Sequence, residues 1–493
     1  MNKNYKILLV IAASVYVIYH LVTLIYSPLP WYDEITFNAI THSYVEHRTF
    51  FEEERIIALP QQKLDYGPLY FIIQAGVIKI FGFSIFKFRI TSLLCGLIDL
   101  FLIYKICRKL KFTANAIIVT LLIIALEPAF NQSLHSGRMD FTSMLFFFLS
   151  YLTFVKTDNA SRVNNILWAL VTGILLSCAM LTTPRIIFAF SFYFFYFIFE
   201  LTDIKTRGWQ AVFLKYIGIL IGFVAVYYIW IYSAFGSIGN FIYYNTHSSV
   251  IKDHAGGFGS GISLKYNLLV YAYAIFAFLL LLKNKVVRKN IDMVLFTVPV
   301  ILAFLVIVTG GISGRYFAMV IPFAAILITG VTVNLNNNGL LKKITYVIPV
   351  LFGIIFIFKG TYIFATLRQH DPYYNESVIS KYIAPNSSIA GDFRYYYIAR
   401  DKNCSFLSFE GNGPLEDEMK YYLDHKINYF IINKDNPEMD FYVPQLLTHN
   451  YKLETVVEDN NSGSFFHKII SKLPYRISEN YSCYIYKYQG VGG

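Results

Sequence analysis

The feature that most limits what this chain can fold into is its series of long apolar runs, which no water-facing fold can hold. Crossing the hydrocarbon core of a bilayer as a helix takes about 20 mostly apolar residues. Runs near that length lie at Ile7–Tyr26, Ile90–Tyr104, Asn115–Phe130, Phe141–Val155, Ile166–Leu181, Ile186–Leu201, Ala211–Phe235, Tyr266–Leu282, Met293–Gly310, Tyr316–Val333 and Ile344–Ala365. About eleven spans are expected, with ends good to a few residues. Charged residues make up only 15% of the chain and aromatic residues 18%. A soluble domain carries about 25% charged residues, so a wet surface is excluded, and the aromatics suit lipid contact and the membrane interface. The expected fold class is an α-helical polytopic membrane protein.

The formal net charge of +11 would hint at nucleic acid in a soluble protein. Here it is explained by the cytoplasmic loops, which collect Lys and Arg. With the N-terminus inside, the cationic loops at Lys105–Lys111, Lys156–Arg162, Lys205/Arg207, Lys283–Lys289 and Lys342/Lys343 all fall on one side. An odd number of spans then places the C-terminal region outside, in a multi-pass protein of the inner or plasma membrane. No zinc-finger spacing, RNP-like motif or basic arm is present, so no nucleic-acid partner is expected. The run after the charged start has no small-residue cleavage site before Pro28 and reads as an uncleaved first span.

Two outside segments are long. The first, residues 27–89, starts acidic and becomes amphipathic at Tyr66–Lys79, which suits a helix lying in the interface. The second, Gly236–Lys265, carries the glycine-rich stretch at 255–261 and reads either as a lid or as a plain flexible loop. The chain divides into a membrane domain, 1–367, and an outside domain, 368–493. In the latter, strand-like runs at Ser388, Ser405, Tyr429 and Cys483 alternate with a helical stretch at Leu415–His425, which suggests a small α/β domain. Cys404 and Cys483 lie in this outside part, where a disulfide between them could persist.

The candidate chemistry gathers on the outer side. Trp31-Tyr32-Asp33-Glu34 follows the first span. It reads as a solvated interfacial turn with aromatic anchors, or as a base beside a positioning carboxylate. Ser136-Gly137-Arg138-Met139-Asp140 opens a span. It reads as a capped helix start with a snorkelling arginine, or as an arginine gripping a lipid-linked phosphate. Arg185 in Thr183-Pro184-Arg185, and Gly314-Arg315-Tyr316, are further boundary cations of the same two readings. Lys252, Asp253 and His254 sit in the second outside loop and read as solvated. Arginine suits phosphate because it is always charged and bidentate. No Walker loop, HExxH or Cys/His cluster competes, and Asp33-Glu34 is not a DxD arrangement.

In their order along the chain, Trp31–Glu34, Tyr66-Gly67-Pro68-Leu69-Tyr70, Phe81–Ser92 with Arg89, Gly137–Asp140, Thr183–Arg185 and Gly314–Tyr316 with Pro322 are similar to the GT-C membrane glycosyltransferases. The nearest branch is that of the protein O-mannosyltransferases and aminoarabinose–lipid A transferases. The resemblance covers roughly residues 1–335. The aminoarabinose transferases have Lys before Pro-Pro where this chain has Asp65-Tyr66-Gly67-Pro68, so no particular acceptor is implied. It implies a polyprenyl-phosphate monosaccharide donor, a lipid, glycan or protein hydroxyl as acceptor, and one inverting displacement without a metal cofactor, a divalent ion being left open. Asp33 would be the base and Glu34 would orient a substrate. Arg138 and Arg315 would meet the departing phosphate, Arg89 would support either group, and Tyr66, Asp140 and Tyr316 would line the site. A transporter, or a membrane sensor with an outside ligand-binding domain, stands as the alternative from another class.

Overall fold

The computed structural model describes residues 3–50, 67–157, 162–203, 208–247, 270–280, 291–308, 317–335, 339–409, 415–458 and 481–490. Its first eight α-helices are α1 (Lys3–Thr23), α2 (Tyr32–His47), α3 (Leu69–Phe81), α4 (Ile85–Lys109), α5 (Ala114–Leu126), α6 (Pro128–Leu134), α7 (Asp140–Phe154) and α8 (Arg162–Thr182). The later apolar runs form helices at Ile187–Thr202, Trp209–Phe235, Val270–Leu280, Ile291–Val308, Phe317–Thr329 and Gly339–Ala365. A helix therefore stands at each of the apolar runs. By length and composition, six described helices can cross a membrane, or seven when α5 and α6 are counted as one span bent by 64°. The protein is a multi-pass membrane protein, and five shorter apolar helices of 10–17 residues stand beside these among the described residues. The bend falls at Glu127-Pro128. Proline has no N–H to give, and the Glu127 carboxylate instead accepts from Phe130 N at 2.6 Å, capping the new helix.

The interfacial stretch forms α3, and the chain ahead of it passes very close to α8. A Cβ at Gly67 would lie 1.9 Å from the Leu181 backbone oxygen, so only glycine fits. Helix α2 has no apolar periodicity, yet Asp33 to Thr41 and Ser43 are all buried. It is covered from two sides. Phe37 and Ile40 pack with Tyr70, Phe71, Phe88 and Met139 of the membrane domain. Ile35 and Ala39 pack with Ile379, Ile389, Tyr395 and Ile431 of the C-terminal part.

That C-terminal part is built on a five-stranded mixed sheet, order β2-β1-β3-β5-β4. The strands are β1 (Ser388–Gly391), β2 (Ser405–Ser408), β3 (Tyr429–Asn433), β4 (Tyr451–Val457) and β5 (Cys483–Tyr488). β1 runs parallel to β2 and β3, and β5 antiparallel to β3 and β4. Side chains alternate between faces. Ile389, Phe406, Ile431 and Ile485 face α2, while Ala390, Phe430, Ile432 and Tyr486 face the helices Leu415–Asp424 and Met439–Thr448. β4 and the second of these helices were not anticipated, because β4 is half-exposed along most of its length. The disulfide that the sequence left open between Cys404 and Cys483 is not formed. Cys404 leads into β2 and Cys483 opens the antiparallel β5, so the two lie three strand spacings, about 14 Å, apart across the sheet and at opposite ends along it, well beyond the reach of a disulfide.

Glu376, on the helix Pro372–Ile379, has its carboxyl pushed up to about 7 by burial and by the neighbouring Asp401, whose own carboxyl burial raises. A carboxyl raised in the folded state holds a proton that the unfolded chain has already shed. Stability therefore falls as pH climbs from the ordinary carboxylate range through about 7. We predict that Glu376→Gln stabilises the domain at pH 8 and has little effect at pH 5. Protease protection of residues 368–493 against temperature, in wild type and variant at both pH values, measures this.

Candidate active site at the head of helix α2

The first turn of α2 carries both acidic residues, and each meets a different arginine. Arg89, in the first turns of α4, donates from Nε to Glu34 Oε1 and from Nη2 to Glu34 Oε2, both at 2.7 Å. Its Nη1 donates to Leu24 O at 2.9 Å. Both side chains are fully buried. One guanidinium thus fixes α4, α2 and the end of α1 together in a bidentate geometry that lysine cannot supply.

Asp33 is held otherwise. Arg138 donates from Nη1 to Asp33 Oδ2 and from Nε to Asp140 Oδ2, the latter at 2.6 Å. Its guanidinium also lies over the Trp31 ring, 5.4 Å from the centroid. The Asp33 side chain keeps 12% exposure while those of Glu34 and Asp140 keep none. Of the three carboxylates, Asp33 alone has an opening.

The turn that presents Arg138 is braced by residues the sequence had not marked. Gly137 sits at φ +57°, and a Cβ there would also lie 2.6 Å from the Phe88 ring, so conformation and space both call for glycine. Tyr70 of α3 donates to Gly137 O, and Gln74 donates to Tyr70 Oη at 2.8 Å and to Phe88 O at 2.9 Å. Ser92 donates to Arg138 O at 2.8 Å. Behind the turn, His135 shares hydrogen bonds with Ser27 O and with His20, at 2.8 and 2.7 Å. Tyr70, Phe88, Ser92 and Gly137 fall inside the stretches that carry the resemblance, but Gln74, His20 and His135 carry no motif, and the pairings join residues far apart in sequence.

The site is thus built from the end of α1, α2, α3, α4 and the start of α7 around one open carboxylate. Comparison with solved structures gives this architecture a counterpart. ArnT from Cupriavidus metallidurans bound to undecaprenyl phosphate is similar over 98% of this chain and 99% of that one, at 12% identity and a TM-score of 0.60. The same protein in the apo state gives 13% identity, coverage of 98% and 97%, and a TM-score of 0.58. The fold is that of the GT-C membrane glycosyltransferases. By sequence pattern, the family described as dolichyl-phosphate-mannose-protein mannosyltransferase matches residues 65–232, a stretch that holds Arg89, Arg138 and Asp140 but not Asp33 and Glu34. No curated protein matches the chain by sequence.

Asp33, Glu34, Arg89, Arg138 and Asp140 are brought together. Arg185 is half-buried in the turn after α8, close in sequence to the Leu181 backbone that Gly67 packs on. Tyr66, Arg315, Tyr316, the Lys252–His254 triplet and the glycine-rich stretch lie outside the described residues.

Taking away one partner of a buried pair leaves an uncompensated charge and typically costs about 3–5 kcal/mol. We predict a loss of that order for Arg89→Met, and recovery of more than half of it in the double variant Arg89→Met/Glu34→Met. Thermal unfolding in detergent of the two variants and the wild type decides this.

Proposed function

We propose that this protein is a membrane glycosyltransferase that moves a monosaccharide from a polyprenyl-phosphate donor to a hydroxyl of a lipid, glycan or protein acceptor at the outer face. The observation that carries the reading is that Asp33, alone of the three clustered carboxylates, is open, and is held by Arg138 at the head of α2 in a GT-C fold. In the reaction the acceptor oxygen attacks the anomeric carbon and its proton passes to Asp33. The bond from that carbon to the phosphate oxygen breaks, inverting the centre, and polyprenyl phosphate leaves with the bonding electrons. A hydroxyl attacks poorly unless its proton is taken during attack, and a general base contributes about 10²–10⁴-fold.

Glu34 enters this reading as an anchor, because both its oxygens are taken by Arg89. Arg138 enters as the cation that orients Asp33. Its Nε and Nη1 donate to Asp140 and Asp33, so its charge is already shared between two carboxylates. The growing charge on the leaving phosphate then falls to Arg185, Arg315, Tyr66 and Tyr316. The undecaprenyl phosphate bound to ArnT supports a polyprenyl carrier for this chain as well.

Asp33→Asn is expected to lower transfer of label from tritiated undecaprenyl-phosphate monosaccharides by at least 10²-fold, with unchanged expression and elution from a sizing column. Near-normal turnover would remove Asp33 as the base. Substrate accumulation in sealed vesicles without transfer would replace the transferase by a transporter. The orientation proposed here, N-terminus inside and residues 368–493 outside, predicts that reporters fused at Lys109 and at Asn412 report opposite sides of the membrane.

A further inference from the structure

The C-terminal domain reaches the acidic pair with one polar group. Tyr397 lies on the short helix Tyr396–Asp401, which follows β1 by way of the 3-10 turn Phe393–Tyr395. β1 has β2 on one side and β3 on the other. Its carboxyl end is therefore the switch point of the parallel part of the sheet, where α/β folds put groups that must meet something outside the sheet. Here that end points its side chains at α2. The Phe393 ring packs edge-on against Tyr32, with centroids 5.1 Å apart. The Tyr397 hydroxyl accepts from Asn38 Nδ2 at 2.9 Å and donates to Glu34 Oε1 at 3.3 Å.

A tyrosine at a domain interface most often only seals it. Three observations set Tyr397 apart. Both of its polar partners are on α2, and one of them is the carboxylate next to Asp33. That carboxylate already takes two hydrogen bonds from Arg89, so the phenol is a third donor on a group that stability alone had satisfied. Burial also raises the phenol well above its ordinary range, with the Glu34 charge adding to it, so it stays protonated and donates. With three donors on Glu34 the first turn of α2 has no freedom to rotate, and the direction of the adjacent Asp33 is set with it.

We propose that Tyr397 is a positioning residue of the transfer reaction, acting through Glu34 and the first turn of α2 on Asp33, so that the outside domain is a working part of the active site. This rests on the glycosyltransferase reading above. The test uses the full-length protein in detergent and measures turnover of tritiated undecaprenyl-phosphate monosaccharides with a membrane extract supplying acceptor. The variants are Tyr397→Phe, Asp33→Asn and, as a control for a neighbouring buried phenol, Tyr396→Phe.

Losing one hydrogen bond to a charged group is expected to lower kcat of Tyr397→Phe by roughly 10-fold or more, with the donor KM unchanged. Tyr396→Phe is expected to behave as wild type. Wild-type turnover in Tyr397→Phe, beside an inactive Asp33→Asn, would overturn the proposal and leave the reading of the enzyme standing. A rise in donor KM in place of the fall in kcat, or a fall in kcat matched by a lower unfolding temperature, would mark a merely structural role and overturn it too. Full turnover in Asp33→Asn would overturn the underlying reading. Should Tyr397→Phe not fold, Tyr397→Met removes the hydroxyl in an apolar side chain that repacks readily, and the same outcomes apply.

Discussion

A guanidinium fully buried at the head of a membrane helix cannot stand alone, because moving a lone charge out of water costs many kcal/mol. Arg89 must be answered, and the answer given by Glu34 decides the geometry of everything near it. Binding both Glu34 oxygens and the Leu24 carbonyl fixes where α2 begins relative to α1 and α4. Once Glu34 is pinned, the residue before it on the helix points elsewhere, since neighbours on an α-helix do not share a face. Asp33 is thereby turned to Arg138. The acidic pair is one anchor and one open carboxylate, and the difference between them follows from which arginine each meets.

The membrane character of the chain was legible because apolar length is a direct physical requirement of the bilayer. Strands β1, β2, β3 and β5 were legible because β-branched and aromatic residues crowd into short runs there. What was not legible arises from contacts between distant residues. Helix α2 carries Thr36, Asn38, Thr41 and Ser43 on buried positions, so its sequence reads as polar loop until the C-terminal domain is laid over it. The bend at Glu127-Pro128 sits within a run that is apolar enough to pass for one straight span. The candidate residues themselves were readable as charges at span ends. Their pairing was not, since Arg138 lies 105 positions from Asp33, and Tyr397 lies 363 from Glu34.

The pairing also sorts the charges around the proposed reaction. Asp33 and Asp140 against Arg138 leave a surplus of one negative charge, and Arg89 is neutralised by Glu34. The neighbourhood of the open carboxylate is therefore poor in uncommitted positive charge, which suits a base that must accept a proton and does not suit a phosphate. An anionic leaving group needs its cations somewhere else. The boundary arginines that remain, Arg185 and Arg315, lie on other segments of the chain. An inverting displacement makes the same demand, because the base serves the face of the sugar opposite to the departing bond. In the reading proposed above, a base among carboxylates and a phosphate met by arginines of other segments answer both demands with one division of charge.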